Sequence, residues 1–207
     1  MTRVSPLQQF VEGLRATSLP EAVSVVAGLV YGVLAVRQNR LCWVFGGLSS
    51  AILAWLAARS QLPMQSLLQV AYVVMSVYGF LNWSRQPDGA GSLPIGWWPW
   101  RVHLGIALAI ALVTWGLAPW IAATTQAAWP RLDTATMLAS LLATWMVARV
   151  RLENWLYWIV IDAIAVFLYG AQGLMFVAVL YVAYLVIAVF GWFEWRARLR
   201  LQAAPGA

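Results

Sequence analysis

One carboxylate stands alone in a long apolar stretch. Asp162 lies in the middle of WLYWIVIDAIAV, with no other acid or base at that depth. If this stretch crosses a bilayer, an ionisable group at its centre costs at least about 2.5 kcal/mol on insertion scales, so it must face a cavity or a partner. Trp155 and Trp158 precede it at i−7 and i−4 and share its helical face. Ring faces attract cations at about 0.5 to 2 kcal/mol each, and a desolvated carboxylate supplies a counter-ion, so the trio suits a flat, positively charged ligand. Plainer roles compete: Asp162 neutralised by a proton or by a Ser or Gln of a neighbouring helix, and Trp155 as part of an interfacial aromatic belt. A second polar set, Gln69, Tyr72 and Ser76, is spaced i, i+3, i+7. These groups suit either the hydroxyls of a sugar-like ligand or helix-to-helix hydrogen bonding.

Other chemistry is poorly supplied. All 13 basic residues are Arg, and the missing lysine removes Schiff-base chemistry and the Walker phosphate loop together. Cys42 is the single cysteine and sits in an apolar run, which leaves neither a disulfide framework nor a thiolate metal site. No His, Glu and Asp cluster has metal-ligand spacing and no Gly-x-Ser-x-Gly stretch occurs, so no catalytic residue, metal or cofactor is expected and the chain does not read as an enzyme. His103 beside Arg101, the cluster Trp97, Trp98 and Trp100, and Glu194 with Arg196 and Arg198 read as membrane-boundary residues. Ser49 and Ser50, in GGLSS with Gly46 and Gly47, read as close helix packing.

The elements that must position these residues follow from composition. Of 207 residues, 63% are hydrophobic and 10% charged, with mean hydropathy +0.76, so the solvent is a bilayer. The expected fold is all-α and integral to the membrane, with spans at Pro20–Val36, Leu41–Ala58, Gln65–Trp83, Val102–Ala123, Thr134–Val150, Trp155–Tyr169 and Leu174–Trp195. Pro87, Gly89, Gly91 and Pro94 make the longest connection a true turn. The first 19 residues lack a signal-peptide pattern, so the first span is expected to insert by itself. The net charge of +6 is spread over helix ends rather than along one stripe, which argues for topology and against nucleic acid. Arg3, Arg15, Arg59 and Arg131 fall on the side of the N-terminus and the other nine arginines on the opposite side. The positive-inside rule then places the N-terminus outside and the C-terminus in the cytoplasm.

An internal repeat organises these spans. A shift of 112 positions aligns residues 39–85 with 151–197 without a gap, pairing Trp43 with Trp155, Tyr72 with Tyr184, Gly79 with Gly191 and Trp83 with Trp195, at about 13 identities in 47 positions. Gln69 falls opposite Tyr181, and Ser50 opposite Asp162. The expected organisation is an N-terminal segment (1–19), a three-helix repeat (20–83), a loop, linker helix and loop (84–133), a second three-helix repeat (134–195) and a tail (196–207). The odd linker makes the halves parallel, as in some secondary transporters, with a site between them.

LLQVAYVVMSVYGFLNWSR, and ENWLYWIVIDAIAVFLYGAQGLMFVAVLYVAYLVIAVFGWFEW after it, resemble the PnuC-type vitamin transporters over nearly the whole chain. The family motif W-x-x-W-x-x-x-N is matched by Trp155, Trp158 and Asp162, with Asp in place of the usual Asn. The resemblance implies a three-plus-one-plus-three fold akin to a full-length SWEET duplication. It also implies facilitated uptake of a vitamin across the bacterial inner membrane and trapping by a separate cytoplasmic kinase, in a family whose members can form homotrimers. Nicotinamide riboside is the expected substrate, thiamine the alternative, and riboflavin or a nucleoside the less favoured one. The expected substrate-binding residues are Trp155, Trp158, Asp162, Gln69, Tyr72, Ser76, Tyr181 and Tyr184.

Overall fold

A computed structural model of the chain describes residues 5–85, 93–124 and 129–203. Arg3 and the turn residues Pro87, Gly89 and Gly91 lie outside them. Eight helices occupy the described residues: α1 (Pro6–Ala16), α2 (Leu19–Val36), α3 (Cys42–Arg59), α4 (Pro63–Ser84), α5 (Trp100–Thr124), α6 (Pro130–Ala148), α7 (Asn154–Ala171) and α8 (Met175–Gln202). The last seven follow the expected spans to within a few residues, except that α8 continues past Trp195 to Gln202. Six of the eight, α2, α3, α4, α5, α7 and α8, are long and apolar enough to cross a membrane. The exception among the expected spans is α6, whose apolar run is diluted by Asp133, Thr134, Thr136, Ser140 and Thr144.

Sequence reading by apolar runs passes over α1. It is short and two-faced: Ser5 and Gln8 cap it reciprocally, and Leu7, Phe10, Val11 and Leu14 line one side. Phe10 packs against Phe176 of α8 at 5.8 Å between ring centres. Ser18 and Glu21 form a second capping box that starts α2 directly afterwards.

Packing closes six helices into a ring. Helix α2 packs on α3, α3 on α4, α4 on α6, α6 on α7, α7 on α8, and α8 back on α2. Helix α5 leans on α6 from outside and turns Leu104, Leu108, Leu112 and Trp115 outward, as a lipid-facing helix does. Four helix ends match at the 112-residue offset. Gln38 and Val150 adopt positive φ (57° and 53°), as do Gln61 and Gly173 (55° and 76°). Each is followed by an amide that bonds back into the last turn, as in Asn39 N to Leu34 O and Arg151 N to Met146 O, both 2.9 Å.

The ring is sealed at one end by tryptophan. Trp43 meets Trp83 edge-on at 5.4 Å and 86°, and Trp155 meets Trp195 at 5.4 Å and 87°. A Cβ on Gly79 would lie 2.3 Å from the Trp43 ring, and one on Gly191 would lie 2.5 Å from the Trp155 ring, so only glycine admits either indole. The outer pair then crosses between halves of the chain. Trp83 donates Nε1–H to Ala148 O at 3.2 Å, and Trp195 donates to Val36 O at 3.0 Å, the acceptors being offset matches of each other. Leu93 and Ile95 complete this layer. The segment carrying them bonds to both sides: Gly96 exchanges backbone bonds with Val150 and Leu152, Gln38 Nε2 donates to Leu93 O, and Gln202 Oε1 accepts from Ile95 N. Arg198 also reaches Gln38 Oε1 at 3.2 Å while it pairs with Glu194 at 2.8 Å.

Cys42 is fully buried in this layer, so its thiol reports the seal. Each indole bond is worth about 1 kcal/mol, or roughly a fivefold population change. Trp83→Phe and Trp195→Phe together are expected to raise the rate of Cys42 alkylation by a small maleimide at least tenfold in membranes, and an unchanged rate would show that these bonds do not hold the end closed. Gly191→Ala should lower thermal stability by about 1 to 3 kcal/mol through overpacking against Trp155, read from the unfolding midpoint in detergent.

Candidate functional site

The ring encloses a cavity of about 720 Å³, a size usual for small-molecule sites. Its floor is the tryptophan layer, reached at Ala35, Trp43, Val147 and Trp155, and its other end reaches Gln65, Trp120, Asp133 and Gln172. All eight residues expected from the sequence line this one space.

Helix α7 supplies the central wall. Trp155, Trp158 and Asp162 follow one face and continue to Ala165 and Tyr169 on the cavity side. Trp155 is 4% exposed and packs into the floor, so it is no member of an outward aromatic belt. Asp162 is 3% exposed. No hydrogen bond or ion pair engages its carboxylate among the described residues, so neither a Ser nor a Gln of a neighbouring helix neutralises it. Tyr181 and Tyr184 stand within electrostatic reach of it.

Helices α4 and α8 face one another across the cavity with matched tyrosines. Tyr72 and Ser140 share a hydrogen bond of 2.7 Å that ties α4 to α6. On the matching side, Tyr184 from α8 puts its hydroxyl 2.3 Å from where a Cβ of Gly28 would be, and Gly28 is the offset match of Ser140. The same approach is a hydrogen bond in one half and a glycine contact in the other. Tyr181 stacks on Tyr169 at 5.3 Å and 11° and meets Tyr184 edge-on at 6.0 Å. Gln69 is buried at the cavity wall, and its amide makes no hydrogen bond within the described residues. Ser76 lies beside Gly47.

Several lining groups were not singled out from the sequence. Asp133, Thr134, Thr136, Ser140 and Thr144 form a polar stripe on α6, legible as the i, i+3, i+7 spacing of Asp133, Thr136 and Ser140 once α6 is seen to be less apolar than its neighbours. Tyr31 and Tyr169 have no such signature. Ser49 and Ser50 both line the cavity, and the Ser49 hydroxyl also donates to Ser24 O at 2.8 Å, a packing bond between α3 and α2.

His103 lies away from this space. Its Nδ1 bonds the Tyr157 hydroxyl at 3.0 Å and its Nε2 stands 3.5 Å from Glu153, which also accepts the backbone N–H of Trp98. Trp98 packs on His103 and Trp145, while Trp97 and Trp100 remain exposed, so the three tryptophans do not share one role.

The sequence profile of the nicotinamide mononucleotide transporter family matches residues 18–197, which spans α2 to most of α8. The chain belongs to this family. Among its relatives, the nicotinamide riboside transporter PnuC of Escherichia coli is 28% identical over 200 residues, covering 84% of each chain. The riboflavin/roseoflavin transporter RibM of Streptomyces davaonensis is 26% identical over 188 residues, covering 89% of this chain and 88% of its own. The crystal structure of the vitamin B3 transporter PnuC superposes with a TM-score of 0.72 at 21% identity, over 95% of this chain and 88% of the other. The chain therefore has the fold of a known transporter and the all-helical, multi-pass character of its family.

Because no group among the described residues answers the Asp162 charge, its neutralisation should cost the fold nothing. Asp162→Asn is expected to leave the detergent thermal midpoint unchanged or raise it, whereas a fall of several degrees would reveal a partner that depends on the charge.

Proposed function

We propose that this cavity carries a flat, cationic vitamin, nicotinamide riboside, across the bacterial inner membrane. The observation that carries the reading is Asp162: a buried carboxylate with no counter-charge among the described residues, on the same face as Trp158 in a cavity of about 720 Å³. A cation that stacks on the indole and neutralises the carboxylate satisfies both at once. Gln69 and Ser76, with Tyr72, Tyr181 and Tyr184, then offer donors and acceptors to a ribosyl group. The name of the Escherichia coli relative supports the same substrate.

The mode is facilitated diffusion, with a separate cytoplasmic kinase trapping the vitamin after entry. A carboxylate that pairs with the substrate is poorly placed to relay a coupling ion as well. The working architecture is seven spans, counting α6, in two parallel three-helix repeats (20–83 and 134–195) joined by the linker α5 within 84–133, similar to a full-length SWEET duplication. The reciprocal tryptophan and tyrosine contacts support this pairing. The distribution of the 13 arginines supports an external N-terminus and a cytoplasmic C-terminus, which puts the tryptophan seal on the cytoplasmic side. A homotrimer is the assembly the resemblance favours.

A second reading is riboflavin, favoured by the Streptomyces relative. Its neutral ring gains little from Asp162. Thiamine shares the flat cationic chemistry and is the closer competitor.

Tracer uptake into proteoliposomes, with nicotinamide riboside, thiamine and riboflavin in parallel, tests the substrate. Saturable entry of nicotinamide riboside is expected, and entry of riboflavin alone would overturn the reading. Trp158→Ala should weaken substrate binding by about 1 to 3 kcal/mol if the indole stacks on the ligand. Unchanged affinity would assign Trp158 to packing. Asp162→Asn should keep transport while reducing the preference for cationic over neutral rings, and an unaltered preference would remove Asp162 from recognition.

A further inference from the structure

The two halves deliver an aromatic ring to the cavity from different helices. At the 112-residue offset, Trp158 of α7 is matched by Gly46 of α3, and Tyr31 of α2 is matched by Ala143 of α6. Where the second half has a small residue on its first helix and a large ring on its second, the first half has the reverse. The structure shows what fills the notch at Gly46. A Cβ there would lie 2.9 Å from Tyr31 Cδ2 and 3.3 Å from Cε2, so the Tyr31 ring covers the site from which a Trp158 equivalent would project. Both Tyr31 and Trp158 line the cavity. The crossed bonds of Trp83 and Trp195 and the matched positions of Tyr72 and Tyr184 relate the halves by a rotation, so these two rings stand on opposite walls.

The hydroxyl of Tyr31 adds a second observation. It is sealed from solvent and has no hydrogen-bond partner, although Tyr31 leans edge-on against Trp43 at 5.8 Å. Packing over Gly46 requires only the ring, and phenylalanine would supply that without stranding a buried polar group. A ligand in the cavity reaches this hydroxyl only by turning the ring, and a tyrosine here is accounted for if such a ligand then completes the hydroxyl.

We propose that Tyr31 is the second aromatic wall of the substrate site, facing Trp158 across the cavity, and that its hydroxyl bonds a polar substituent of the bound ring or its sugar. A planar cation is then held on both faces, by Trp158 from the second half and by Tyr31 from the first. Occupancy draws the two halves onto one ligand. The proposal rests on the cationic-vitamin reading of the cavity and adds the residue that discriminates among flat rings by a hydrogen bond.

The test is calorimetric titration of the full-length purified protein with nicotinamide riboside, using wild type, Tyr31→Phe and Gly46→Ala. The wild-type titration reads the substrate by itself. If thiamine or riboflavin binds instead, the substrate assignment falls, and the ratio of variant to wild-type affinity for that ligand still reads Tyr31. Tyr31→Phe keeps the ring and its packing, and is expected to bind about five- to tenfold more weakly with a thermal midpoint unchanged or raised. Gly46→Ala keeps the hydroxyl but displaces the ring, and is expected to bind at least fivefold more weakly. Wild-type affinity in Tyr31→Phe would overturn the proposal, because a purely structural tyrosine predicts that result.

Discussion

A carboxylate in the hydrocarbon layer must be answered by something, and among the described residues no side chain bonds or pairs with Asp162. Much of the architecture can be understood from that constraint. A lipid-facing acid would not be tolerated, so α7 turns the Asp162 face inward and the remaining five helices of the ring close around it. The polar stripe of α6 and the tyrosines of α4 and α8 surround the same space, which gives the carboxylate a cavity with polar groups in its walls rather than lipid. On the function proposed above, a bound cation completes this site, and a counter-charge that can be exchanged is what a carrier needs.

The second requirement is that this space open to one side at a time. The structure closes one end with a dry layer of four indoles and leaves polar groups at the other. Its closure depends on interlocking rather than on many strong bonds. Glycine at 79 and 191 lets Trp43 and Trp155 sink into the neighbouring helix, and Trp83 and Trp195 then each reach a carbonyl of the opposite half. Two neutral hydrogen bonds contribute about 2 kcal/mol between them, small enough to be exchanged in a transport cycle. The Leu93–Gly96 segment holds both halves at that end, so it must give way when the seal opens.

Much of this was legible in the sequence because bilayer burial and duplication both leave strong marks. Long apolar runs located α2 to α5, α7 and α8, and tryptophan and glycine matches revealed the repeat since those residues are scarce enough not to coincide by composition. The residues chosen on one helical face, Asp162 with Trp155 and Trp158, and Gln69 with Tyr72 and Ser76, do share a cavity. Other features left weaker marks. Helix α1 is held by caps and a single stripe against Phe176, which hydropathy does not register. Helix α6 was expected at Thr134–Val150, but its mark is weaker because its polar side faces the cavity and dilutes the apolar run. Tyr31 could not be found by helical spacing or by the repeat alone, because its relation to Trp158 exists only through packing over Gly46. His103, next to Arg101 in sequence, gave no hint that Tyr157 and Glu153 would come to it from α7 and the turn before it.

The most direct test of the central claim compares one ligand in two charge states. Nicotinamide riboside and its reduced, uncharged dihydro form have nearly the same shape, so their relative affinities for the wild-type protein, measured side by side by calorimetry, isolate the contribution of the ring's positive charge. The account predicts at least tenfold tighter binding of the cation, with the difference largely lost in Asp162→Asn. Equal affinities for the two forms in the wild type would contradict it and leave Asp162 without the role assigned to it here.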